Sequence, residues 1–316
     1  MNCCEQIVIE SPKRTLSGYF SYLKKLKSAI AAVDPDVVHL LYGDYFYRFF
    51  GFLLNWAIPK KKLIATLHSI PGSFIKKMGV RAVYKRLHTG VVHTEKLRKQ
   101  LDDTGVKNVT VVEYPCFLPV NAISAEQAKM ELGLKLEVPV IAALGGTRYD
   151  KGLDLLLKAL RGVTKPFQIL IAGREQEITK EQIAELTSEY QECTHVILKD
   201  LSDEEYCRCV KAADYVVLPY RKILTGASGP LVEGVAAGKT IIGTDFGSIG
   251  QIIQKRHIGY LWDTDSVTHM TQILEQALTA QPIVYDDVAR EYRNSVSVER
   301  FSKAYMRLYE EMQGEI

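Results

Sequence analysis

The stretch that most constrains this chain runs from Thr225 to Gly243, TGASGPLVEGVAAGKTIIG. Gly226, Ser228 and Gly229 make a permissive turn, and Pro230 suits a first helical position, where its missing N–H and fixed φ cost nothing. Leu231, Val232, Val235 and Ala236 then share one helical face, and Thr240-Ile-Ile-Gly243 follows as an apolar strand. A turn, helix and strand in that order belong to an α/β sheet. The helix start presents backbone N–H groups and the positive end of the dipole, so it is an anion site that a diphosphate would suit. Glu233, placed in the first turn, can accept two hydrogen bonds from a vicinal diol such as a ribose.

The rest of the chain repeats the alternation. Leu16, Tyr19, Phe20, Leu23, Leu26, Ile30 and Val33 recur at three and four residues, the spacing of one helical face. Ile7 to Ile9 is read as a short strand, Asp36 to Leu41 as a buried one, and Tyr45 to Ala57 as an aromatic-rich helix. Leu63 to Leu67 is a strand ending at His68, and carboxyl ends of strands are where open α/β sheets bind ligands. From Phe74 to His88, five basic residues interleave with apolar ones, the pattern of an amphipathic helix at a membrane surface or of a solvated face. Pro115 and Pro119, followed by the Ser124-x-x-Gln127 capping box, mark a linker. We place domains at 1–118 and 119–295, with a terminal helix at 296–316 returning to the first domain.

The second domain opens with the strand Val138 to Leu144, which runs into Gly145-Gly146-Thr147-Arg148-Tyr-Asp-Lys151-Gly152. Glycines let the backbone approach a ligand, and Arg148 and Lys151 can reach phosphate oxygens. Phe167 to Ala172 is a further strand that ends in Gly173-Arg174, and Asp214 to Pro219 is the strand leading toward the Thr225 stretch.

Residues Gly229 to Ile242 resemble the donor-binding signature of glycosyltransferase family 4, the group 1 glycosyl transferases. The resemblance implies an α/β GT-B architecture: two Rossmann-like domains facing across a cleft, here with the N-terminal one truncated. It also implies retaining transfer of a sugar from a nucleotide-linked donor, UDP- or GDP-linked, to a saccharide or lipid-linked acceptor. In the family, two glutamates flank seven residues; Glu233 matches the second, which meets the ribose, and Thr225 stands where the first would touch the sugar. Arg148 and Lys151 match the bases that neutralise the diphosphate, and His68 a strand-end histidine facing the donor sugar. Expected catalytic residues are therefore His68, Arg148 and Lys151. Expected donor-binding residues are Gly145, Gly146, Thr147, Gly173, Arg174, Thr225, Gly226, Ser228, Gly229, Pro230, Leu231, Val232 and Glu233. No resident cofactor or metal is expected. Thr225 and the short first lobe motivate an alternative, a non-catalytic nucleotide-sugar-binding or partner subunit.

Charge adds direction. In residues 1–123, Lys and Arg outnumber Asp and Glu 18 to 9, a net +9, whereas the remaining residues carry 22 against 28, a net −6. A basic first half suits an anionic partner, and an anionic membrane surface is the candidate; no nucleic-acid-reading motif accompanies it. Six scattered cysteines, with no disulfide or zinc spacing and no leader pattern at Met1, lead us to expect a cytoplasmic protein, at the inner face of a membrane if it meets one.

Overall fold

The computed structural model describes residues 5–10, 15–59, 61–69, 73–223 and 227–314. The chain forms two compact units, one of residues 1–113 with 302–316, the other Tyr114–Phe301.

The first unit holds a parallel sheet of four strands, β1 (Val37–Leu40), β2 (Lys62–Leu67), β3 (Thr89–Val92) and β4 (Val109–Val111), paired in that order. The helix Leu16–Val33 is capped by Thr15, whose hydroxyl accepts from the Gly18 N–H, and buries Tyr19, Leu23, Leu26 and Ile30. Ile7 to Ile9 joins no ladder. The single helix expected over 45–57 does not form. A 3₁₀ helix, Gly43–Phe49, ends at Phe50 in the left-handed region, and a short α-helix, Leu54–Ala57, begins only after Leu53, also left-handed. With the chain broken there, Phe46, Tyr47, Leu54 and Ala57 reach the core while Phe52 and Trp56 remain exposed. Aromatics that would encircle one straight helix are thereby divided between inside and outside. The helix Phe74–Tyr84 does form, burying Val80, Val83 and Tyr84.

The terminal helix Val298–Gln313 contributes its last turns to this first unit. Tyr305, Leu308 and Met312 are buried, His39 Nδ1 lies 2.7 Å from the Tyr309 hydroxyl, and Lys62 Nζ donates to the Met312 carbonyl.

The second unit holds a parallel sheet of six strands: β5 (Val140–Leu144), β6 (Gln168–Gly173), β7 (Thr194–Leu198), β8 (Tyr215–Leu218), β9 (Thr240–Thr244) and β10 (Gly259–Trp262). Their order is β10-β9-β8-β5-β6-β7, the doubly wound arrangement in which the chain reverses direction across the sheet at the β5/β8 pair. Apolar runs unbroken by polar residues are what a sheet covered on both faces requires. Val140, Ala142 and Leu144 enter one core with the helices Asp203–Ala212 and Gly229–Ala236; Ile141 and Ala143 enter the other with Leu153–Leu160 and Val267–Ala280. Among the described residues, no helix is long and apolar enough to cross a membrane.

Candidate functional site

At the β5/β8 reversal two loops leave neighbouring carboxyl ends: Gly145–Gly152 after β5, and the segment after β8 that leads to the helix Gly229–Ala236. A crevice there is lined by Gly145, Gly146, Thr147, Lys151, Pro219 and Tyr220, among others. Such reversals are the ligand positions of open α/β sheets, because the two loops splay apart and leave the strand ends uncovered.

The loop after β5 is shaped by glycine. Gly145 and Gly173 have φ of +98° and +145°, and a Cβ on Gly173 would strike the backbone of Gly145. The two strand ends can pass only as a pair of glycines. Thr147 is buried and serves the loop's own architecture: its hydroxyl accepts from the Gln176 N–H at 2.9 Å and donates to the Ile178 carbonyl at 2.7 Å. Gln176 lies over Gly146, and Gly146 remains partly open.

The bases of this loop differ in their partners. Arg148 is half-exposed and held by Asp150 in a two-pronged pair of 2.9 and 2.8 Å, which raises its own pKa and lowers that of Asp150. Lys151 is half-buried, its ammonium over Gly145, and no described carboxylate forms an ion pair with it. Burial, then the Arg148 charge, push its pKa down, while Asp150 and Glu233 oppose that. Arg174 is exposed and pairs with Asp200.

The helix Gly229–Ala236 begins as the sequence indicates, with Ser228 as N-cap and Pro230 in its first turn. Two features differ from expectation. Its start is not an open row of donors: Ser228 Oγ takes the Leu231 N–H at 3.3 Å, Pro230 has none, and Val232 N–H already bonds the Ser228 carbonyl. Among the described residues of the first turn, the Gly229 N–H is what remains for an anion. Ser228 is itself buried against the Tyr220 hydroxyl at 3.1 Å, so it caps rather than faces a ligand. Leu231 and Val232 side chains are in the core, so these positions offer backbone only. Glu233, moreover, is the fifth helical residue and stands in the second turn, since the first turn carries no acid. Its carboxylate still reaches the helix start: Oε1 lies 3.1 Å from where a Cβ on Gly229 would be. Oε2 accepts a hydrogen bond from the Tyr206 hydroxyl at 2.9 Å. Burial raises the Glu233 pKa, with the Tyr206 hydroxyl and the Lys151 charge pulling the other way. Thr225 and Gly226 lie outside the described residues.

Tyr206, Tyr220, Gln176 and Asp150 were not anticipated. Nothing local signals Tyr206, which stands 27 residues before Glu233 on a different helix.

His68 belongs to the first unit, just past β2. Its Nε2 lies 2.9 Å from the Leu41 carbonyl, its ring stacks on Tyr42 at 5.0 Å, and His93, past β3, is 5.1 Å away. His93 Nδ1 donates to the Val112 carbonyl at 2.8 Å, and burial lowers its pKa. Among the described residues no three His, Cys, Asp or Glu side chains could hold a metal ion together.

Residues 138–280 match the family model of the group 1 glycosyl transferases. Over that stretch the chain is similar to glycosyltransferase family 4. A phosphatidyl-myo-inositol mannosyltransferase of Mycobacterium tuberculosis (strain ATCC 25618 / H37Rv) is 24% identical over 314 residues, covering 92% of this chain and 78% of that one. The sucrose-phosphate synthase of Thermosynechococcus elongatus superposes with a TM-score of 0.77 at 16% identity, covering 95% of this chain and 79% of its own. The Anabaena protein HepE, solved in complex with UDP-glucose, superposes at 0.73 with 12% identity, covering 96% and 85%. The fold is GT-B, with a first sheet of four strands against six in the second.

Proposed function

We propose that this chain is a family 4 glycosyltransferase that moves a hexose, with retention, from a UDP- or GDP-linked donor to a saccharide or lipid-linked acceptor. The observation that carries the reading is the Glu233 carboxylate held beside Gly229 at the β5/β8 reversal, with the ammonium of Lys151, which pairs with no carboxylate among the described residues, in the same unit. In this reading Glu233 accepts from the ribose hydroxyls, and Lys151 and the Gly229 N–H meet the diphosphate. Arg148 joins them on leaving Asp150. As the bond between the anomeric carbon and the β-phosphate oxygen breaks, charge grows on that oxygen, and a fixed cation beside it lowers the barrier. His68 is assigned to the donor sugar. The Anabaena relative's complex with UDP-glucose supports a nucleotide-sugar donor, and the mycobacterial relative's name supports a lipid-linked acceptor.

A membrane partner fits the first unit. On the helix Phe74–Tyr84, Phe74, Ile75 and Met78 are 76%, 65% and 50% exposed beside Lys76 and Lys77, which suits the headgroup boundary of an anionic bilayer. We place the protein in the cytoplasm, at that inner surface, in envelope or exopolysaccharide synthesis.

Thr225, standing where the family's first glutamate falls, favours one rival: a binding subunit without turnover. Calorimetry with UDP and GDP, beside donor hydrolysis and transfer assays, separates the two. Binding with neither hydrolysis nor transfer across varied acceptors means the rival is right; no binding of any nucleoside diphosphate ends both. Glu233→Ala is expected to fold and to lose about tenfold or more in nucleotide affinity, the worth of a charged hydrogen bond.

A further inference from the structure

We propose that Tyr206 is a positioning residue for nucleotide binding: its hydroxyl fixes the Glu233 carboxylate in the orientation and charge state that receives the ribose. The inference rests on the nucleotide-binding role of Glu233 proposed above.

A glutamate side chain has three rotatable bonds, and a half-buried carboxylate beside apolar neighbours has two ways to fail. It can swing to solvent, or it can take up a proton. The Tyr206 hydroxyl opposes both. It donates to Oε2 at 2.9 Å, which leaves Oε1 over Gly229, at the end of the helix where the diphosphate is placed. The bond also favours the ionised carboxylate, because a carboxylate accepts what a protonated acid accepts poorly.

Tyr206 is well placed to hold still. It lies in the helix Asp203–Ala212, whose start is locked by a reciprocal capping box between Ser202 and Glu205, and its ring packs against the core shared with Leu231 and Val232. Burial, then Glu233, drive the phenol pKa far above its ordinary value, so Tyr206 stays a donor at every working pH. The charged and titratable groups around Glu233 are Lys151 from the loop after β5, Asp203 and Tyr206 from the same helix, Cys116 from the segment entering the unit, and Tyr220 after β8. Lys151 and Tyr206 favour ionised Glu233; Asp203 disfavours it. Lys151 also serves the diphosphate in our reading, which leaves Tyr206 as the group dedicated to the carboxylate.

The test is Tyr206→Phe in the full chain, titrated by calorimetry with UDP, GDP and inorganic pyrophosphate between pH 5.5 and 8.5. The expected result is about a tenfold loss for the nucleotide, unchanged pyrophosphate binding, and an acid limb of nucleotide binding moved to higher pH. In a Glu233→Gln background the same change should cost nothing further, as a shared carboxylate demands. Carboxyl-carbon NMR of Glu233 gives a readout without ligand: its titration must move up in pH when the hydroxyl is removed. Equal losses for nucleotide and pyrophosphate, or additive losses with Glu233→Gln, would make Tyr206 a packing residue and overturn the proposal, as would an unmoved Glu233 titration. If wild-type protein binds no nucleoside diphosphate, the nucleotide reading fails first, and the NMR titration still decides whether Tyr206 governs the carboxylate.

Discussion

At the scale of single residues, the two bases after β5 predict different mutational costs. Arg148 already holds Asp150 through two hydrogen bonds, so a diphosphate must compete with a carboxylate for it. Lys151 has no such competitor among the described residues, and its lowered pKa records a charge held in a poorly hydrated place. Lys151→Ala should therefore weaken UDP binding about tenfold or more, with uridine binding nearly unchanged, while Arg148→Ala costs less. Isothermal titration of both variants with both ligands checks the order. The pH dependence has a defined sign. Diphosphate affinity should fall as pH rises through the depressed folded pKa of Lys151, and removing Lys151 should abolish that alkaline limb.

Between residue and sheet, the element that matters is the crossing of the two strand ends at Gly145 and Gly173. Gly173 at φ +145° sits in a region closed to side chains, and a Cβ would displace the Gly145 backbone. Gly145 N–H bonds the Ala172 carbonyl at 2.8 Å and Thr147 N–H the Arg174 carbonyl at 3.0 Å, so any shift carries the whole loop with it. Gly173→Ala is expected to destabilise the second unit by about 2–4 kcal/mol, read by urea unfolding, and to remove diphosphate binding. Helix starts illustrate how local signals fare. Ser202 and Glu205 form a complete capping box, whereas Gln127, expected to complete one with Ser124, turns to Glu131 and leaves Ser124 capping alone. A second complete box, Thr179 with Gln182, opens the helix Lys180–Leu186, which a 3₁₀ turn, Ser188–Cys193, follows. Side-chain donors choose among nearby acceptors by a fraction of a hydrogen bond's worth, and sequence does not rank them.

Across the whole molecule, the terminal helix ties the last residues to the first unit. His39 touches Tyr309 through one ring nitrogen and Thr66 through the other, at 2.7 and 2.8 Å, and burial followed by the His93 charge lowers its pKa to about 4. A histidine whose folded pKa lies below its unfolded one binds protons better when unfolded. Its contribution is intact above about pH 6.5 and lost as pH falls toward 4. Calorimetric scanning should show the first unit losing stability over that window by up to about 3 kcal/mol beyond what His39→Gln shows. Truncation after Phe301 removes the buried Leu308 and Met312, each worth about 1.5–3 kcal/mol, and should lower the transition of the first unit while leaving that of the second in place.

What the sequence determined by itself was local in origin. Apolar runs such as Val140 to Leu144 read as strands, the Ser228-Gly229-Pro230 start as the opening of a helix, and Gly145 and Gly146 as backbone open to close approach. Those inferences hold because pleat period, helix period and the sterics of φ act over a few residues. Only the tertiary structure decided that β5 lies against β8, that Arg148 is held by Asp150, that Glu233 stands one turn inside its helix with Tyr206 on its carboxylate, and that the aromatic segment 43–57 breaks in two. Each of these is a choice among partners of similar chemistry, settled by which groups are brought together when strand order and core packing are complete, and no short-range rule ranks those partners beforehand.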